Sequence, residues 1–209
     1  QASSLAVLIT AIGMSYLLQN VALLLWGSNP KSFPSVVSLG SLSFFDGQLL
    51  ISGETIVTVL MNIIIMVGLT LFTGKTKMGK AMRVVAEDKG AAELMGINVN
   101  MTISLTFAIG SALAAVAGVL LCSAYPTLMP TTGSMPGIKA FTAAVFGGIG
   151  SIPGAVIGAF LIGICENFVK ILPFEGATTF VDAFTFALLI IVLVFKPTGL
   201  FGEKATDKV

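Results

Sequence analysis

The sequence predicts an all-α, polytopic transmembrane helical bundle with about six membrane segments, one of them short or broken, forming a single domain over residues 1–209. Three observations carry that expectation. Hydrophobic residues make up 56% of the chain and charged residues only 10%, whereas a soluble domain carries roughly 25% charged residues because its surface must face water. The mean hydropathy is +1.01. The apolar residues also fall in discrete runs, and 209 residues could hold five or six spans with short loops.

Six runs stand out: Leu5 to Trp26, Thr55 to Phe72, Met101 to Ala124, Ile138 to Ile149, Ala155 to Ile171 and Thr178 to Phe195. A bilayer core of about 30 Å needs roughly 20 residues of helix. The fourth run would cover only about 18 Å at 1.5 Å per residue, so it reads as a broken span or a re-entrant half-helix. Between it and the fifth lies GGIGSIPG, Gly147 to Gly154, where four glycines and Pro153 interrupt regular helix.

Basic residues near span ends are retained on the cytoplasmic side. Residues 74–98 hold Lys75, Lys77, Lys80, Arg83 and Lys89, and the C-terminal tail holds Lys196, Lys204 and Lys208; the loops at 27–53 and 172–177 hold only Lys31. The first pair is expected inside and the second outside, with the C-terminus cytoplasmic and the protein in the cell's inner (plasma) membrane. The crossings balance if the fourth run crosses. In the outer loop at 27–53, alternating apolar residues flank Asp46-Gly47, a β-hairpin signal, suited to a lid over the helix ends or to an extracytoplasmic partner.

A net charge of +1 supplies no field to recruit nucleic acid. Cys122 and Cys165 lie in apolar runs and read as small hydrophobes; with no histidine and no ligand spacing, neither a metal nor a cofactor is expected. The chain begins at Gln1 and enters an apolar run at once, so further sequence is expected upstream. Gly110, Ala114 and Gly118, like Gly154 and Gly158, recur at the spacing that lets helices approach closely in lipid.

Charge is expensive at the bilayer centre and persists there for function. Glu54, Lys139, Asp182 and Lys196 fall at run ends, Glu166 lies about two turns from the outer boundary near Pro173, and the polar residues inside runs are neutral, such as Gln19, Asn20 and Asn62. No phosphate-cradling glycine loop with lysine, no nucleophile with its base and no paired catalytic carboxylates occur. The chain therefore reads as no enzyme, and active transport would draw its energy from another chain.

Residues 74–98 are the informative stretch: five basic and three acidic residues interleave with Ala81, Met82, Val84, Val85, Leu94 and Met95. That pattern reads as one short amphipathic helix at the inner face, stopped at Gly96. Within it, GAAELMG (Gly90 to Gly96) resembles the cytoplasmic signature of ABC importer permeases. Ala91, Ala92 and Gly96 match its spacing; Gly90 stands where the signature has glutamate, and the downstream Leu-Pro is absent.

The runs at 8–20, 78–100, 105–121, 137–166 and 196–202 are similar, in order, to branched-chain amino acid importer permeases, whose subunits extend further at the N-terminus. The resemblance implies a cytoplasmic coupling helix and an assembly with a second permease subunit, ATP-binding cassette subunits and an extracytoplasmic substrate-binding protein. It implies a docking surface of Arg83, Glu87, Asp88, Ala91, Ala92 and Gly96, and a cargo of leucine, isoleucine, valine or a related small amino acid, amide or urea. Gly147, Gly148, Gly150, Pro153 and Gly154 are the candidate hinge or pathway element. The competing readings are a secondary carrier working alone and a passive channel for a small neutral or zwitterionic solute.

Overall fold

The computed structural model describes residues 4–34, 40–44, 49–171, 180–196 and 198–202. Among these it is an α-helical protein with eight helices: α1 (Ser4–Trp26), α2 (Gly53–Lys75), α3 (Lys77–Glu87), α4 (Lys89–Leu94), α5 (Val99–Ala124), α6 (Ser134–Gly147), α7 (Ile152–Ile171) and α8 (Val181–Phe195). Four of them, α1, α2, α5 and α7, are long and apolar enough to cross a membrane. Large apolar side chains on them point outward: Leu24, Phe107 and Phe160 are all more than two-thirds exposed, as befits helices whose solvent is hydrocarbon.

The fourth run becomes α6, which starts four residues earlier than expected and ends at Gly147 rather than Ile149. Its 14 residues cover about 21 Å, short of a full span, in keeping with a short or broken segment. α8 is described over 15 residues; the outer loop expected at 172–177 and the basic residues Lys204 and Lys208 lie outside the described residues.

The chain divides into two compact units. One comprises residues 1–59 and 109–135. There β2 (Leu42–Phe44) pairs antiparallel with β3 (Leu49–Ile51), in the register Phe44 opposite Leu49. This is the hairpin expected around Asp46-Gly47, although those two residues lie outside the described ones. A second ladder was not expected: β1 (Lys31–Ser32) pairs with β4 (Thr127–Leu128), and the Phe33 amide donates to the Pro126 carbonyl at 3.2 Å. It ties the exit of α1 to the exit of α5, a non-local pairing that two-residue strands do not announce in sequence.

The other unit comprises residues 60–108 and 136–209, and it holds two local cores. Val85, Ala92 and Val99 bury one another with Val84, Ile97 and Ile103 alongside. Ala143, Phe146 and Ile162 form the second, against Leu161, Leu188, Leu189, Val192 and Leu200, so that α6, α7 and α8 pack together. α6 and α7 form an antiparallel pair in which Gly158 meets α6 backbone to backbone. A Cβ there would lie 2.6 Å from the Ala143 carbonyl oxygen and 2.9 Å from the Gly147 nitrogen.

That close approach yields a contrast to measure. Gly147 faces the Gly154 carbonyl with no room for a methyl group, whereas Gly163, on the same hairpin, has nothing within 4 Å of its would-be Cβ. Gly147→Ala should destabilise the detergent-solubilised protein by about 1–3 kcal/mol through overpacking, and Gly163→Ala should be neutral or stabilising by up to about 1 kcal/mol. Melting followed by size-exclusion fluorescence would show the difference; equal melting of the two variants would contradict the packing.

Candidate functional site

The loop between α2 and α5 is two helices, not the single amphipathic helix expected. The corner that opens it is built on Thr76. Its hydroxyl donates to the Phe72 carbonyl at 2.6 Å and accepts from the Gly79 amide at 3.0 Å, closing α2 and capping α3 with one side chain. Gly79 is buried against Phe72 and Thr73, where any side chain would collide with backbone.

α3 then stops at Asp88, whose extended backbone (φ −151°, ψ 110°) serves as the C-cap of α3 and the N-cap of α4. Its amide donates to the Val84 carbonyl at 2.9 Å, and its Oδ1 accepts from the Gly90 and Ala91 amides at 2.9 and 3.2 Å. Composition could not reveal this break, because an aspartate within a charged helix reads as a solvated face. The stop at Gly96 is as expected. Gly96 adopts φ +78°, its amide donates to the Glu93 carbonyl at 2.9 Å, and the Ile97 amide reaches the Ala92 carbonyl at 3.0 Å. This is a Schellman closure, with Ile97 packing on the core that contains Ala92.

The corner sorts the expected docking residues. Arg83, Glu87, Asp88, Ala91 and Gly96 are exposed. Ala92 is not: it is 0% exposed, enclosed with Val85 and Val99. Of the two alanines expected in a docking face, Ala91 is exposed and Ala92 is packed inside, where its methyl group holds α4 against α3 and α5. Two residues not named as docking candidates stand out instead, Leu94 at 92% and Met95 at 71% exposure. Their signal in the sequence was an apolar pair placed beside a glycine stop.

The second candidate, the turn between α6 and α7, is a packed joint. Gly147, Gly148 and Gly154 are buried, and Gly150 and Pro153 are exposed. Gly148 takes φ +110° and Gly150 φ +97°. The Ser151 hydroxyl accepts from the Gly154 amide at 3.1 Å, capping α7, with Pro153 in the first turn, where its missing N–H costs nothing. The segment at 198–202 closes on this turn: the Leu200 and Phe201 amides donate to the Phe146 and Gly147 carbonyls, both at 2.9 Å. Lys196 Nζ donates to the Leu200 carbonyl at 2.6 Å. The orphan carbonyls at the end of α6 are thus satisfied by backbone from the far end of the chain.

At the opposite end of the same three helices the structure assembles a charge cluster that the sequence scattered. Lys139 Nζ on α6 lies 2.9 Å from Glu166 Oε1 on α7 and 2.8 Å from Asp182 Oδ1 in the first turn of α8. The Thr185 hydroxyl is 3.4 Å from Glu166 Oε1 and donates to the Val181 carbonyl at 3.0 Å. Each charge sits near a helix end, as expected, but Glu166 is five residues inside α7 and only 15% exposed. Reading the residues one at a time missed their meeting, although each was a lone charge in an apolar run.

Similarity to known proteins covers nearly the whole chain. The family described as branched-chain amino acid transport system permease component matches residues 2–193. The high-affinity branched-chain amino acid transport system permease protein BraD of Pseudomonas aeruginosa is 45% identical over 97% of this chain and 66% of its own length. The corresponding protein LivH of Escherichia coli K12 is 44% identical over 98% of the chain and 66% of its own length. The xylose transport system permease protein XylH of Escherichia coli K12 is 31% identical over 66% of the chain and 35% of its length. The chain thus spans about two thirds of the length of the curated branched-chain relatives it matches. No solved structure matches.

The Asp88 cap makes a measurable claim. Asp88→Ala should cost about 1 kcal/mol and speed hydrogen exchange at the Gly90 and Ala91 amides several-fold, while Asp88→Ser should restore most of the protection. Unchanged exchange in the alanine variant would show that the cap is not what holds α4.

Proposed function

This chain belongs to the branched-chain amino acid transport system permease family, and we propose that it is the membrane-spanning permease subunit of an ATP-binding cassette importer. On this reading it carries leucine, isoleucine, valine or a related small amino acid across the inner membrane. Separate ATPase subunits supply the energy, a second permease subunit completes the path, and an extracytoplasmic binding protein delivers the cargo. A carrier working alone or a passive channel is disfavoured, because neither gives the α3–α4 corner a purpose.

One observation carries the proposal: the short, doubly capped α4 that presents Leu94 and Met95 to the outside while Ala92 anchors it within. An apolar pair exposed on a corner that also exposes Arg83, Glu87 and Lys89 is costly against water and suited to a pocket on a partner. The basic residues of this corner support a cytoplasmic position for it, where an ATPase would sit. Force applied to Leu94 and Met95 would pass through Ala92 to Val85 and Val99, and so to α3 and the start of α5. The two-state element is then the pair of permease subunits, biased by nucleotide from one side and by the loaded binding protein from the other.

The roles divide accordingly. Glu87, Asp88, Ala91 and Gly96 shape and cap the docking corner, Arg83 orients it by charge, and Ala92 acts through its packing. The Gly147–Gly154 turn, clasped by residues 198–202, serves as a rigid joint that moves with α6 and α7 as one piece, since Gly147, Gly148 and Gly154 each meet backbone closely. A pathway role for that turn has no support from its packing.

The test uses the full-length subunit expressed with its ATPase partners. Replacing Leu94 and Met95 together by aspartate should lower ATPase capture at least about tenfold, the range of a buried anchor lost from an interface, and abolish leucine uptake. Wild-type capture and uptake by that variant would overturn the docking assignment.

A further inference from the structure

The Lys139 cluster is left unused by the coupling corner, and its composition is unusual for a helix clasp. Two carboxylates share a single ammonium: among the described residues, Lys139 is the only cation within 4.0 Å of Glu166 or Asp182. The cluster thus carries more negative than positive charge where three apolar helices end, and ionisable residues within such helices are candidates for function. The two carboxylates are also unequal. Glu166 is 15% exposed and has the Thr185 hydroxyl as a second neighbour, whereas Asp182 is 40% exposed. Glu166 is the anchored partner and Asp182 the open one.

We infer that the Lys139–Asp182 pair is an exchangeable site for the head group of an α-amino acid, the substrate carboxylate taking Lys139 and the substrate ammonium taking Asp182 while Glu166 stays on Lys139. This deepens the proposed function and rests on it. The physical argument concerns pairing. Opening a partly buried ion pair is costly when a charge is left bare, but a zwitterion inserted between the partners converts one pair into two and bares nothing. The charges then alternate in a row: Glu166 carboxylate, Lys139 ammonium, substrate carboxylate, substrate ammonium, Asp182 carboxylate.

A neutral amide, urea or sugar would open the 2.8 Å pair without replacing either charge, and a simple carboxylate or amine would replace only one. The site therefore selects by charge pattern rather than by side chain. It sits about 12 Å along α6 from the Gly147 joint, toward the end of the three helices that the charge rule places outside. That is where cargo released by a binding protein would arrive.

The full-length subunit, assembled with its partner chains in proteoliposomes and supplied with leucine-loaded binding protein, tests this. The quantity read is leucine moved per ATP hydrolysed. Asp182→Asn and Lys139→Met should lower it at least tenfold, and Asp182→Glu and Lys139→Arg, which keep the charges, should recover most of it. An unchanged ratio in Asp182→Asn would overturn the inference. So would conservative variants no better than the neutral ones, or a fall in uptake matched by an equal fall in hydrolysis, which would mark the cluster as a structural clasp. If Lys139→Met does not assemble, the Asp182 pair decides alone. Failure of the wild-type complex to move leucine while hydrolysing ATP would instead refute the amino acid permease reading.

Discussion

A backbone in hydrocarbon has no water to turn to, so every N–H and C=O released by a helix break must find its partner within the protein. The α6–α7 turn shows how this chain meets that demand. The Phe146 and Gly147 carbonyls, orphaned where α6 ends, accept from Leu200 and Phe201, and the glycines allow the two stretches to come within backbone distance. The short α6, the antiparallel entry of α7 and the path of the chain after α8 all follow from that exchange. A side chain at Gly147 or Gly148 would push the donors away and leave the carbonyls bare.

The same economy governs charge. Lys139, Glu166 and Asp182 come from three helices and would each be a liability alone in lipid; together they tie the end of the unit opposite the glycine joint. The three-helix packing is therefore fastened by backbone hydrogen bonds at one end and by ion pairs at the other, with the Ala143–Phe146–Ile162 core between. The two fastenings differ in kind. The backbone bonds from Leu200 and Phe201 to the end of α6 exchange with nothing, whereas an ion pair that is part exposed can exchange with a charged visitor.

The α3–α4 corner is polar in composition but carries its own small core of Val85, Ala92 and Val99. Two caps set its shape: Thr76 at the entry and Asp88 in the middle, each serving two helices at once. With Gly96 closing the far side, α4 needs only six residues, far below the length at which an isolated helix is stable; it persists because Ala92 is packed.

Much of this was legible from one-dimensional information. Apolar run lengths against the thickness of a bilayer determined the helical class, the short fourth segment, the break at Gly147–Gly154 and the charged connector with its stop at Gly96, because each depends on composition or on residues adjacent in the chain. Tertiary structure alone decided that Ala92 turns inward while Leu94 and Met95 turn out, that residues 198–202 clasp the glycine turn, and that Lys139 meets Glu166 and Asp182. Those facts depend on which faces of separate helices come together. Helix packing in lipid is chosen by surface fit rather than by a hydrophobic period that the sequence would display.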